Sequence, residues 1–255
     1  MVMTSKVSTI SVVMPAYNLE SKIKKTINNT NEKLSKIDCD YEIIVVDDGS
    51  KDATRKIANS VKNSNVRVLS YNVNQGKGFA LTMGAINSVS DYIVFMDGDG
   101  DINNKILNRF ISALEHADIV VGSKQHPESI IDVPVLRKFL SLGFNIFVRL
   151  LTGINLWDTQ VGFKAFRRDA LIDIMKLVSV RKYAFDVEIL TIATLLNKKI
   201  AVVPVEIHGT ALFSGRNIVR MFVDILGISY RLRIKKWYQK NHNKKNPKYK
   251  PIIRW

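Results

Sequence analysis

Apolar runs that read as strands alternate with helix-like stretches five times in the first half of this 255-residue chain. That alternation restricts the fold to an α/β architecture, a mostly parallel central sheet with helices on both faces. Strands are predicted over residues 6–14, 41–46, 66–70, 92–96 and 118–121. Helices are predicted over 20–34, from 52 onward, over 79–89 and over 104–114. Ile43, Ile44, Val45 and Val46 do not alternate with polar residues, as expected of a strand buried on both sides. Pro15 closes the first ladder because it has no N–H to donate, and Asn18 suits the turn that follows.

The fourth strand ends in Asp97-Gly98-Asp99-Gly100-Asp101. Three like charges two residues apart serve no folding purpose, and the carboxyl edge of an open α/β sheet is where such folds bind ligands. A hard divalent cation, Mg²⁺ or Mn²⁺, bound through Asp97, Asp99 and Asp101 accounts for them; a solvated Asp/Gly turn is the plain alternative. A calcium loop is excluded, because its glycine position holds Ile102 and its bidentate glutamate position holds Asn108. At the second strand end, Asp48 can accept hydrogen bonds from a nucleobase or ribose, with Gly49 for a tight turn and Ser50 as a cap. Asn74-Gln75-Gly76-Lys77-Gly78 is a turn or an anion loop and matches neither standard nucleotide fingerprint.

Charge is unevenly spread. Of the net +15, residues 231–255 carry +10 with no acid, leaving +5 for the preceding 230. Such an end suits an anionic membrane surface or simple solubility; no zinc-finger spacing or recognition-helix pattern supports nucleic acid. A single cysteine, Cys39, excludes an internal disulfide. No apolar run is long enough to span a bilayer and no leader is expected. The expected location is therefore peripheral, on the cytoplasmic face of a membrane.

In the second half, 130–134 reads as a loop and 135–154 as a helix rich in Phe and Leu. That helix either belongs to the core or presents Phe139, Phe147 and Leu150 to lipid. Residues 158–160 start a loop that leads into 162–166, 185–196 reads as an apolar helix carrying Asp186 and Glu188, 201–207 as a strand and 217–236 as an amphipathic helix. Buried acid in an apolar helix needs a partner or a purpose.

Seven ordered motifs carry a resemblance that no single one of them would. They are Pro15-Ala16-Tyr17-Asn18; Asp47-Asp48-Gly49-Ser50 with Asp52; Asn74-Gln75-Gly76-Lys77-Gly78; Asp97-Gly98-Asp99; Gly122-Ser123-Lys124; Asp158-Thr159-Gln160-Val161-Gly162-Phe163-Lys164; and Tyr183-Ala184-Phe185-Asp186-Val187-Glu188. Together, from about residue 7 to 232, they resemble the family 2 glycosyltransferases, and within these the dolichyl-phosphate glucosyltransferase and dolichyl-phosphate mannose synthase group. The last two motifs lean toward the glucosyl branch.

The resemblance implies a GT-A fold in one domain over 1–230, with a nucleotide half to about 123 and an acceptor half beyond, followed by a basic end over 231–255. It implies a sugar nucleotide, UDP-glucose or GDP-mannose, held by Pro15, Tyr17, Asn18, Glu20, Asp48, Lys77, Asp97 and Gly98. The metal would be held by Asp97, Asp99 and Asp101. Lys124, Arg137 and Arg216 fall where similar enzymes grip an acceptor phosphate, and Ser141 and Asn145 match the helix that follows. Asp99, Asp158, Gln160 and Glu188 are the positions implied for catalysis. Lys124 departs from the usual Arg, Ile207 from the usual Trp, and Gly209 from the usual Glu. The expected reaction is inverting transfer of a hexose, glucose before mannose, to a polyprenyl (dolichyl-type) phosphate, whose second pKa of about 6 makes it its own nucleophile. Transfer to a glycan or lipid hydroxyl would instead require a base such as Asp158 or Glu188. A non-catalytic nucleotide- or nucleic-acid-binding domain is the alternative of another class.

Overall fold

The computed structural model describes residues 9–98, 104–132, 134–156, 158–208 and 215–242. A seven-stranded sheet forms the centre. Its strands are β1 (Thr9–Ala16), β2 (Asp40–Asp48), β3 (Val66–Tyr71), β4 (Tyr92–Phe95), β5 (Ile119–Ser123), β7 (Lys164–Arg167) and β8 (Ile200–Pro204), in the order β3-β2-β1-β4-β7-β5-β8. All neighbours are parallel except β7, which runs antiparallel to both β4 and β5. The expected parallel run over the first half is present. The loop that starts at 158–160 leads into β7, a strand for which the sequence sets no expectation.

Strand residues alternate between two apolar layers. Val13, Ile44, Val46, Ile93 and Phe95 enter one layer, and Val12, Met14, Ile43, Val45 and Val94 the other, all at most 1 % exposed. Helices α1 (Ile23–Leu34), α2 (Thr54–Asn59) and α4 (Asn104–Leu114) cover the second layer. Helices α3 (Lys77–Asn87), α6 (Arg168–Met175) and α7 (Phe185–Leu195) cover the first. Burial on both faces is what the unbroken Ile-Ile-Val-Val of β2 requires.

Two expectations change near β8. Residues 130–134 are not wholly loop: β6 (Ile130–Asp132) pairs in parallel with β9 (Glu206–His208). The single strand expected over 201–207 is split at Val205, whose N–H donates to Ser129 Oγ (2.9 Å) and whose carbonyl accepts from Ile130 N (3.0 Å). Those two bonds redirect the backbone from the large sheet to the small one.

Helix α5 (Val135–Thr152) packs against α8 (Gly215–Ser229), with Phe144 and Phe147 edge-on to Phe222 at 5.9 and 4.7 Å. Phe147 is thus taken up between the helices, as the core reading of this helix has it, whereas Phe139 and Leu150 are exposed. The continuous helix expected to residue 236 ends at Ser229. A π-helical turn (Tyr230–Ile234) follows, and Lys235 N closes on Tyr230 O at 3.0 Å. Lys236 then takes a left-handed conformation (φ 47°) and the chain enters α9 (Trp237–His242). No helix among the described residues is long and apolar enough to cross a membrane.

Candidate active site

Because β2 and β3 lie on one side of β1 and β4 on the other, the strand order reverses between β1 and β4. Their carboxyl ends flank the crevice where open α/β sheets take ligands. Pro15 from β1 and Gly98 beyond β4 meet there; a Cβ on Gly98 would stand 2.5 Å from Pro15 O. Tyr17 leaves this edge with 42 % of its surface exposed, available to stack on a planar ligand. Asn18 and Glu20 bond to the neighbouring loop. Asn18 Oδ1 accepts from Lys51 N (2.9 Å) and Asn18 N donates to Ser50 Oγ (3.0 Å). Glu20 Oε2 accepts from Ala53 N (2.9 Å), while Glu20 N donates to Asp52 (3.1 Å). These reciprocal bonds lock the β1–α1 loop to the β2–α2 loop. Burial alone would raise the Asp52 pKa, but bonds from the Thr54 hydroxyl and from the Thr54 and Glu20 N–H groups outweigh it and hold it below the ordinary value.

Asp48 is buried, and its carboxylate is the knot of the β3–α3 loop. It accepts from Tyr71 Oη (2.8 Å), Asn74 Nδ2 (3.0 Å), Gln75 N (2.8 Å) and Gly76 N (3.0 Å). Burial, then the bond to this anion, pushes the Tyr71 phenol pKa up, so it stays a donor. Gly76 has φ 100°, a conformation that β-carbons resist. The turn delivers Lys77 to the start of α3, where Nζ lies 2.6 Å from Asp97 Oδ1. Burial would raise the Asp97 pKa; the charge and hydrogen bond of Lys77, with the charge of Lys164, more than offset this and lower it.

The opposite wall comes from the segment before β7. A Cβ on Gly162 would fall 2.2 Å from Asp97 Oδ2, so the glycine is what lets this segment approach the carboxylate. Asp158, 2 % exposed, accepts from Lys124 N (3.0 Å) and Gln160 N (3.1 Å), and Lys124 Nζ lies 3.3 Å from it. It therefore staples the end of β5 to this segment. Thr159 Oγ1, Gln160 Nε2 and, on α5, Asn145 Oδ1 are buried and make no hydrogen bond among the described residues. Such groups cost about 1–3 kcal/mol each unless a ligand pairs them.

Lys164 was missed by sequence reasoning. It is 1 % exposed, its Nζ donates to Asp186 Oδ1 (2.8 Å) and Val161 O, and its charge reaches Asp97. The one available signal was a lysine in a run otherwise fit for a short strand, twenty-two residues before an acid in an apolar helix. Glu188 lies apart from this constellation. It is fully buried, and four donors fill its two oxygens: Ser179 N, Val180 N, Arg231 and Tyr238. A base needs an open oxygen, and Glu188 has none. Asp99 and Asp101, and the side chains of Arg137 and Arg216, lie outside the described residues. So does most of the basic end.

An exposed apolar face accompanies the site. Phe139, Leu140, Leu142, Ile146 and Leu150 on α5 are 40–70 % exposed, and Val219, Val223 and Leu226 on α8 are 52–64 % exposed. The two helices are packed together, so these residues belong to one helical pair.

The sequence family described as Glycosyl transferase family 2 matches residues 11–175. The dolichyl-phosphate beta-glucosyltransferase of Dictyostelium discoideum is 38 % identical over 248 residues, covering 89 % of this chain and 76 % of that protein. The mouse protein of the same name is 36 % identical, covering 92 % of this chain and 79 % of that one. Among solved structures, glucosyl-3-phosphoglycerate synthase from Mycobacterium tuberculosis, in complex with Mn²⁺, UDP and glucosyl-3-phosphoglycerate, aligns with a TM-score of 0.66 at 23 % identity. It covers 88 % of this chain and 79 % of that one, a likeness of fold. The sheet with its β1/β4 crevice, the ordered motifs around it and these matches agree: the chain belongs to glycosyltransferase family 2.

Proposed function

We propose that this glycosyltransferase moves glucose from UDP-glucose to a dolichyl-type polyprenyl phosphate, with inversion at the anomeric carbon. The observation that carries the proposal is the meeting of Lys77 and Asp97 at the β1/β4 crevice, with Gly162 leaving the second carboxylate oxygen uncrowded. The identity to dolichyl-phosphate beta-glucosyltransferases supports the choice of donor sugar and acceptor. GDP-mannose is the second donor to test.

Asp97 is an anionic hard-oxygen donor already paired with a cation, which suits Mg²⁺ or Mn²⁺. With Asp99 and Asp101 of the same run, it would hold that ion. When bound, the ion supplies positive charge to the leaving diphosphate. The remaining steps belong to the chain. Tyr17 stacks on the base. Asp48 keeps the Asn74–Gly76 turn formed, so that Lys77 reaches the diphosphate side. Lys124, Arg137 and Arg216 hold the acceptor phosphate in line behind the anomeric carbon. Asp158 orients Lys124 and Gln160 and takes no proton. None is needed from the acceptor, because a phosphate monoester with a second pKa of about 6 is already largely ionised near neutral pH.

The exposed faces of α5 and α8 lie on the membrane in this proposal, with the basic end against anionic lipid on the cytoplasmic face. The test is a paired assay with UDP-glucose and GDP-mannose against polyprenyl phosphate and the polyprenol of equal chain length. Transfer of glucose to the phosphate alone is expected. Comparable rates on the alcohol would overturn the ionised-acceptor mechanism, and no turnover with UDP-glucose would overturn the donor.

A further inference from the structure

Glu188 ties the loop just before its own helix to two neighbouring segments 43 and 50 residues further along the chain. Its Oε2 accepts from Ser179 N (2.8 Å) and Val180 N (2.6 Å), in the loop before α7. Its Oε1 accepts from Tyr238 Oη (2.5 Å) on α9 and from Arg231 (3.1 Å) in the π-helical turn. Arg231 Nε also donates to Tyr238 Oη at 3.0 Å, and Tyr238 is 0 % exposed. Burial opposes the charge on Arg231, yet its bonds to Tyr238 and Glu188 raise its pKa.

The loop anchored by Glu188 is the one that rests on the 75–79 turn. Arg181 O accepts from Phe79 N (3.1 Å), the Arg181 guanidinium donates to Gln75 Oε1 (3.2 Å), and it lies 5.5 Å from the centre of the Phe79 ring. A Cβ on Gly76 would come within 2.6 Å of Arg181 O, and one on Gly78 within 2.7 Å of Phe185. Two backbones in such contact move together. The contacts therefore run from α9 through Glu188 and Arg181 to the turn that presents Lys77 to Asp97.

We infer that Glu188 is a positioning residue for the donor site and that the segment Tyr230–His242 is a strap that fixes the donor turn from behind. The inference rests on the reading of Lys77 as facing the donor diphosphate. A basic, surface-seeking end thereby has a mechanical route to the donor pocket. Contact of α8 and the π-helical turn with a surface would bear on the same strap.

Two measurements separate the strap from the donor reading. The first is hydrogen exchange of the full chain, wild type against Tyr238→Phe, which deletes one donor and keeps the ring. Exchange over 74–80 and 179–184 should quicken about tenfold, the factor that corresponds to about 1.4 kcal/mol, while α1 stays unchanged. The second is steady-state kinetics with UDP-glucose: the donor KM should rise about tenfold with kcat and acceptor KM within about twofold. Arg181→Ala should give the same KM shift without loosening α9, and Glu188→Gln, which keeps the shape of the side chain but loses an acceptor, should exceed Tyr238→Phe. Unchanged exchange over 74–80 in both Tyr238→Phe and Glu188→Gln overturns the strap. Faster exchange with no shift in donor KM also overturns it as a donor device. If wild type does not turn over UDP-glucose, the donor reading fails and the exchange result alone decides the strap.

Discussion

Replacing Lys164 by methionine isolates the buried pair beside the site. The side chains of Lys164 and Asp186 are 1 % and 8 % exposed, with nitrogen and oxygen 2.8 Å apart. Methionine keeps an unbranched chain of similar reach, so packing is largely preserved. What is lost is the cation, leaving Asp186 as a buried unpaired charge and the Val161 carbonyl without its donor. Breaking a buried pair from one side costs about 3–5 kcal/mol, a large share of the roughly 5–15 kcal/mol that holds a domain folded. With a urea slope of about 3 kcal/mol/M for a chain of this size, the unfolding midpoint should fall by roughly 1–1.7 M. Adding Asp186→Asn removes the stranded charge and should restore about half of the loss or more. The assay is urea unfolding of wild type, both single variants and the double variant, closed as a thermodynamic cycle. A Lys164→Met midpoint within about 0.3 M of wild type, or a double variant no more stable than Lys164→Met, would refute the reasoning.

Two further outcomes are expected. Gly162→Ala puts a methyl where only 2.2 Å separates it from Asp97 Oδ2; displacing that carboxylate should lower turnover by about 10²-fold with little change in melting temperature, and wild-type turnover would contradict the close approach. Phe139→Ser with Leu150→Ser removes two side chains that are 69 % and 70 % exposed. At about 1.5–3 kcal/mol each on burial, flotation with anionic vesicles should drop at least tenfold, and equal flotation would remove α5 from the membrane contact.

The first half was legible in the sequence because its determinants are local. Four non-alternating residues announce β2, and acids and glycines mark the strand ends that form the crevice; Pro15, expected to close the first ladder, lies inside β1 opposite Val46, and the strand runs on to Ala16. The other half depends on partners far apart in the chain. β7 is four residues, Lys-Ala-Phe-Arg, with a buried lysine at an inward position that only Asp186 makes tolerable; no period of two could reveal it. Val205 breaks a strand because Ser129, seventy-six residues earlier, takes its N–H. Asp158 and Glu188 looked alike as candidate bases. Their roles diverge only through what donates to them: Lys124 and Gln160 at the crevice for one, and Arg231 and Tyr238 behind it for the other. Tyr238 carried no signal at all, lying in a stretch whose charge suggests solvent.

The reversed direction of β7 has a consequence for how this enzyme can be altered. In every other strand of the main sheet the connection leaving the strand opens onto the crevice; at β7 it is the connection arriving. Residues added ahead of Lys164 would therefore be delivered into the reaction space. At its other end β7 passes into α6 with no residue between, and Arg167 and Arg168 there bond Asp118 O and Asp91 O at the far rim, so that joint has no connection to lengthen. Diversity meant to change which acceptor is used therefore belongs ahead of Lys164, and a tag or reporter belongs at neither end of this strand.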